Sequence, residues 1–181
     1  MVALYRGFGA DVSPFTPRLD RLMGARMQAR GLPGHRGAPG AIYASTCPQQ
    51  ALSHARGGAR THLRRIRPLS GSTLLWCPGV ADATLSFATF LRALLRDDVA
   101  FINGCPVGPL VADLHGCVQT LETVLEIGGP DSHAAAPALV DAFLDLHPVR
   151  YIHIRTDPAP CDLEGHDGEV VLCGSVAFDP A

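Results

Sequence analysis

Three short segments hold the residue types from which a charge-stabilising site is built. Tyr5-Arg6-Gly7 ends an apolar, β-prone run. The Arg6 guanidinium offers a planar fork to an anionic oxygen, and Gly7 leaves the backbone open to a flat amide ring. Tyr43-Ala44-Ser45-Thr46-Cys47 ends a second such run in a pair of hydroxyls, which could orient a carboxylate or contact a ribose. Asp167-Gly168-Glu169-Val170-Val171-Leu172 opens an apolar run with a glutamate, one of four in the chain, two positions after an aspartate. Residues i and i+2 of a strand share a face, so both acids line one cleft if the strand begins at Asp167. Each segment also has an ordinary structural use. Arg6 suits a surface, Ser45 and Thr46 suit a helix cap before Pro48, and Glu169 suits a solvated strand edge.

The elements that must position these residues follow from periodicity and punctuation. Residues 2–7, 41–46, 59–68, 72–77, 149–155 and 169–178 read as strands, with a turn around Ser70-Gly71 joining the third and fourth. Arg18 to Arg30 has Leu19, Leu22, Met23 and Met27 at helical spacing among arginines. Pro48 starts a short helix after the hydroxyl pair. Thr84 to Val99 is the clearest helix, with Asp82 as its cap. A second, 110–127, ends at Gly128-Gly129, although its valines leave a strand open, and a third runs from about residue 134 to 146. GLPGHRGAPG (31–40) and the glycine-proline stretch 103–109 read as loops. Helices set between short strands, without a dividing linker, predict one α/β or α+β domain over 1–181.

Composition narrows the function classes. The chain has 181 residues, 47% apolar and 18% charged, with a formal net charge of −2. That is the profile of a soluble domain, and the net charge gives no support to nonspecific nucleic-acid binding. No apolar window reaches membrane-spanning length, so no membrane partner is expected. MVALYRGF lacks a charged region followed by a long apolar run, so no cleavable secretory signal is expected. All 15 basic Lys/Arg residues are arginine. Either a GC-rich coding bias, matching the abundant Ala, Gly and Pro, or avoidance of ubiquitin attachment would give this pattern. The six cysteines (47, 77, 105, 117, 161, 173) include no C-x-x-C pair. A zinc site from Cys105, His115 and Cys117 has no familiar ligand spacing, so buried free thiols and no metal are expected.

Taken in order, the three segments resemble the mono-ADP-ribosyltransferase superfamily, in the branch with an Arg, Ser-Thr-Ser, Glu signature. Arg6 in LYRG matches the arginine that ends the first strand. IYASTCPQQALSHA matches the hydroxyl motif followed by a helix, and GEVVLCGSVAF matches the late strand with the catalytic glutamate. Cys47 stands where the family has a third hydroxyl, and Asp167 where it usually has Glu or Gln, a position tied to target choice. The resemblance implies two small packed sheets flanked by helices around an NAD cleft. It implies that Glu169 stabilises the oxocarbenium-like transition state and bonds the ribose 2′-hydroxyl. Ser45 would hold Glu169, and Thr46 would support the cleft. Arg6 would fix ribose or phosphates, Gly7 would meet the carboxamide, and Asp167 would orient the nucleophile. Tyr43 and Phe8 are the aromatics considered for clamping nicotinamide. The partners implied are NAD as substrate and a protein target, in a host cell for a bacterial toxin or injected effector.

Two other readings use the same residues. GAPGAIYASTCPQQAL is also similar to NAD-consuming glycohydrolase or phosphorylase toxins with the Arg-Glu-Ser domain. Those expect a glutamate on the following helix, where this chain has Ser53-His54-Ala55. A noncatalytic binding module of an effector or phage particle would instead use Arg18, Arg21, Arg26 and Arg30 as its partner surface.

Overall fold

A computed structural model of the chain describes residues 3–8, 17–53, 55, 62–80, 82–96, 101–102, 105–106, 130–155 and 168–180. Two compact units divide the chain. One comprises Met1–Phe15, Ala38–Ala81 and Val149–Ala181, and the other Thr16–Gly37 and Asp82–Pro148.

In the first unit, seven strands form one antiparallel sheet: β1 (Leu4–Phe8), β2 (Ile42–Ser45), β3 (His62–Pro68), β4 (Thr73–Trp76), β7 (Arg150–His153), β8 (Glu169–Cys173) and β9 (Val176–Pro180). Their order is β7-β4-β8-β2-β1-β3-β9. EVVLC and TLLW are buried along most of their length and form the adjacent strands β8 and β4, whereas HLRRIRP in β3 buries only Ile66. Helix α2 (Pro48–Ser53) follows β2 and packs against β1 so closely that a Cβ on Gly7 would lie 2.2 Å from the Ala51 carbonyl oxygen.

Among the described residues the architecture is α+β, with one seven-stranded sheet rather than the two packed sheets expected. Registered pairing between β1 and β2 consists of Tyr5 opposite Ser45. That pair joins a four-strand half, β7-β4-β8-β2, to a three-strand half, β1-β3-β9. The sheet must then curl. β8 and β9 are four strand spacings apart, about 19 Å in a flat sheet, yet Gly174-Ser175 connects them, and three residue steps reach only about 11 Å. At the fold, Ser72 donates through Oγ to the Ser175 carbonyl at 2.6 Å, and Leu69 N–H donates to the same oxygen at 3.0 Å. Gly174 has φ +116°, and a Cβ there would meet Ser72 Cα at 2.9 Å, so glycine is required. The stretch 169–178 is therefore two strands broken at Gly174, correcting the single strand expected. Likewise β3 and β4, consecutive in sequence, do not pair with each other. One core cluster draws on both halves: Leu4, Ala44, Ile66, Leu74, Trp76, Ile154, Val170 and Leu172. Fully burying a side chain of the leucine or valine class contributes about 1.5–3 kcal/mol.

The second unit contains α1 (Pro17–Ala29), α3 (Ala83–Arg96), α4 (Pro130–Leu146) and a small hairpin of β5 (Phe101–Ile102) and β6 (Cys105–Pro106). Helix α4 starts four residues earlier than its apolar pattern indicates and carries Pro137 within it. Leu19, Met23, Met27, Phe87, Leu91, Leu139, Val140 and Phe143 are buried. Phe143 takes the rings of Phe87 and Phe90 edge-on, with centroids at 5.4 and 5.8 Å. Two of the four arginines named as the surface of a noncatalytic binding module pair with α4. Arg26 donates to Asp141 (Nε to Oδ1, 3.1 Å), and Arg30 donates to Asp145 at 2.7 Å and to the Asp141 carbonyl at 2.8 Å. The loop after α1 folds back on the helix through a buried ion pair, Arg36 Nε to Asp20 Oδ1 at 2.7 Å. The expected helix at 110–127 lies outside the described residues. No helix among the described residues is long and apolar enough to cross a membrane.

Candidate active site

The site is assembled at the seam between the two halves of the sheet. Ser45 ends β2, opposite Tyr5 on one side and Glu169 on the other. Directly opposed residues share a face and bring their Cβ atoms to about 4.5–5.5 Å. Ser45 and Glu169 are thus side by side, and Tyr43, two residues earlier on β2, shares their face opposite Val171.

Hydrogen bonds fix the backbone around this pair. Thr46 N–H donates to the Gly168 carbonyl at 3.3 Å, and Gly168 N–H donates back to Thr46 Oγ1 at 3.0 Å. Glu169 N–H donates to the Val80 carbonyl at 2.8 Å. Thr46 therefore anchors the residue before Glu169, whereas the resemblance implied that Ser45 holds Glu169 and Thr46 supports the cleft. The buried Ser45 hydroxyl has two partners of its own: it accepts from Cys47 N–H at 3.1 Å and donates to Gln50 Oε1 at 3.0 Å. Ser45 is at once a cap-like residue for α2 and the cross-strand neighbour of Glu169. Gly168 fits because its missing side chain makes room for an indole. A Cβ there would lie 2.7 Å from Trp76 Nε1 and 3.0 Å from the Cys77 carbonyl oxygen.

The remaining expected site residues are placed as follows. Arg6 neighbours Tyr5 in β1, so its side chain projects from the face opposite Ser45 and Glu169. The Arg6 guanidinium lies over the Phe8 ring, with Cζ 5.5 Å from its centroid, and burial lowers its pKa below the usual arginine range. Gly7 shares the face of Tyr5, where α2 covers it. Asp167 lies outside the described residues. Cys47, Cys77 and Cys173 are half-buried thiols outside any disulfide, less enclosed than the sequence indicated. Among the described residues, no three His, Cys, Asp or Glu side chains cluster as metal ligands would.

No protein-family model, curated protein or solved structure matches the chain.

The sequence reading missed Gln50 and Trp76. Gln50 is the third residue of α2, where glutamine commonly reaches back to the residues that start a helix, and that spacing was a usable signal. The part Trp76 plays at Gly168 depends on β4 lying beside β8, a pairing no local pattern encodes.

Proposed function

We propose that the chain is a mono-ADP-ribosyltransferase that transfers ADP-ribose from NAD to a protein, in the setting of a bacterial toxin or injected effector. The observation that supports it is the Ser45–Glu169 cross-strand pair at the seam, with Thr46 anchoring the start of β8. A half-buried glutamate whose backbone is held in a β ladder is suited to stabilising positive charge, because the ladder fixes where its side chain starts.

In the proposed reaction, the bond between ribose C1′ and the nicotinamide nitrogen breaks, and its electron pair leaves with nicotinamide. The ribose becomes oxocarbenium-like, and the Glu169 carboxylate offsets that charge and accepts a hydrogen bond from the 2′-hydroxyl. A nucleophile of the target protein gives an electron pair to C1′ and passes its proton to solvent, with Asp167 proposed as the group that orients it. Tyr43, on the same face, is proposed to stack on nicotinamide. Ser45 and Thr46 are positioning residues acting on Glu169. The register separates Arg6 from this face, so the reaction is assigned no step through it.

The test is one NAD reaction read two ways, for nicotinamide release and for label transferred from NAD to proteins of a host lysate. The proposal expects both. NAD loss without labelled protein would replace it with a glycohydrolase, and neither signal would leave a noncatalytic binding module.

A further inference from the structure

The register of β1, β3 and β9 gathers a second group of side chains, on the sheet face opposite Glu169. Leu4 stands opposite Ile66, and Ile66 opposite Phe178. Farther along the same face Arg6 stands opposite Arg64, and Phe8 opposite His62. Leu4 and Ile66 are buried in the core, but Phe178 remains 45% exposed on the edge strand. Phe8 is the hub. The His62 ring stacks on it at 5.5 Å with 14° between planes, and Phe178 meets it edge-on at 5.6 Å. The Arg6 guanidinium lies over its ring.

The charge arrangement here is unbalanced. Arg6 and Arg64 are a directly opposed like-charge pair, which costs stability in a sheet. The acid of these three strands, Asp179, points to the other face and sits 3.5 Å from Arg67. Neither Arg6 nor Arg64 has a carboxylate partner among the described residues. Arg6 is half-buried as well, so its desolvation is not offset by an ion pair. Oxyanions bound at these guanidinium groups would offset both costs, since each can bind phosphate oxygens bidentately.

We propose that this face of β1-β3-β9 binds single-stranded nucleic acid, with phosphates on Arg6 and Arg64 and bases stacked on Phe178 and the Phe8–His62 pair. Aromatic rings flanked by arginines on a sheet surface supply the two components of single-strand binding. The exposure of Phe178, Arg64 and His62 favours a polymer that lies across the sheet. A mononucleotide would need a concave pocket enclosing most of its surface. The chain's net charge of −2 does not oppose this, because binding is set by the local cluster of unpaired arginines. The site uses other residues and the other face, so it stands independently of the ADP-ribosyl reading.

Fluorescence anisotropy with labelled oligo-dT and oligo-rU of roughly 12 nucleotides tests the proposal on the full chain. The expected result is saturable binding of at least one oligomer at about 50 mM salt, weakening as salt rises. Arg6→Gln and Arg64→Gln each lower the slope of log affinity against log salt by about 0.7. Phe178→Ala weakens binding roughly five-fold or more and leaves that slope unchanged. Arg64 and Phe178 are exposed, so their variants stay folded, which a thermal melt of each checks. Arg67→Gln, on the other face, stays within about two-fold of wild type, well inside the effect expected of a lost phosphate contact. Absence of saturable binding, or equal losses in Arg67→Gln and Arg64→Gln, would overturn the proposal. So would displacement of the oligomer by NAD at matched nucleotide concentration, which would make the face a mononucleotide subsite.

Discussion

Ser45 carries two loads that a single substitution separates. Its hydroxyl accepts from Cys47 N–H and donates to Gln50, and its backbone pairs with the strand that begins at Glu169. Ser45→Ala removes the first and keeps the second. Losing a helix-start hydroxyl costs about 0.5–2 kcal/mol, so the melting temperature falls. Turnover of NAD falls as well, because the freed Gln50 and α2 no longer hold the end of β2 in place. Differential scanning calorimetry and an NAD assay on the same protein check both halves. A lower melting temperature with normal turnover would make the hydroxyl a cap alone. Gly168→Ala tests the indole contact next door. Its added methyl would sit 2.7 Å from Trp76 Nε1, and overpacking of that kind costs about 1–3 kcal/mol. A melting temperature equal to wild type would show that β4 yields there without cost.

Asp141 has a pH dependence whose sign the geometry fixes. Partial burial raises its pKa, but hydrogen bonds and charge from Arg26 and Arg30 outweigh this and leave it below the usual value. The folded state therefore binds that proton less readily than the unfolded chain. Its stabilisation is complete above the ordinary aspartate value, about 3.9, and is lost as pH falls through the lower, folded value. Asp141→Asn should flatten the stability–pH curve in that acid window and lower stability at neutral pH, as urea melts across pH would show. An unchanged acid limb would mean that the pair contributes nothing. Elements with a strong local pattern were legible in the sequence: α1, α3 and the apolar cores of β2, β4 and β8 fall where periodicity places them. What was not legible depends on pairing across the chain. Gly174 looks like an ordinary residue within a strand until β9 is found at the opposite sheet edge from β7. Arg6 stands where the resemblance implies a residue that fixes ribose or phosphates beside Glu169, until the Tyr5–Ser45 register sends it to the other face. Local preference cannot encode either outcome, because each is decided by pairing with segments distant in sequence, Ser45 for Tyr5 and β3 for β9.

At the scale of the molecule, the seam gives the sheet its use. Glu169 is fixed by its neighbours on both sides, with Val80 bonding its amide and Ser45 standing opposite, while Thr46 anchors the residue before it. A backbone held in this way would let a carboxylate at this position meet a developing cation with less reorganisation than one on a mobile loop. The sheet also separates two surfaces, the Glu169 face proposed for chemistry and the arginine–phenylalanine face proposed for nucleic acid. The central claim is that the Glu169 charge drives cleavage of NAD. Its most direct test is nicotinamide release by wild-type protein and by Glu169→Gln, which keeps the side-chain shape and removes the charge. The account predicts a loss of roughly 10²–10³-fold in rate, with the melting temperature unchanged. A Glu169→Gln rate within about two-fold of wild type would contradict it, since electrostatic stabilisation of this kind cannot be removed at so small a cost.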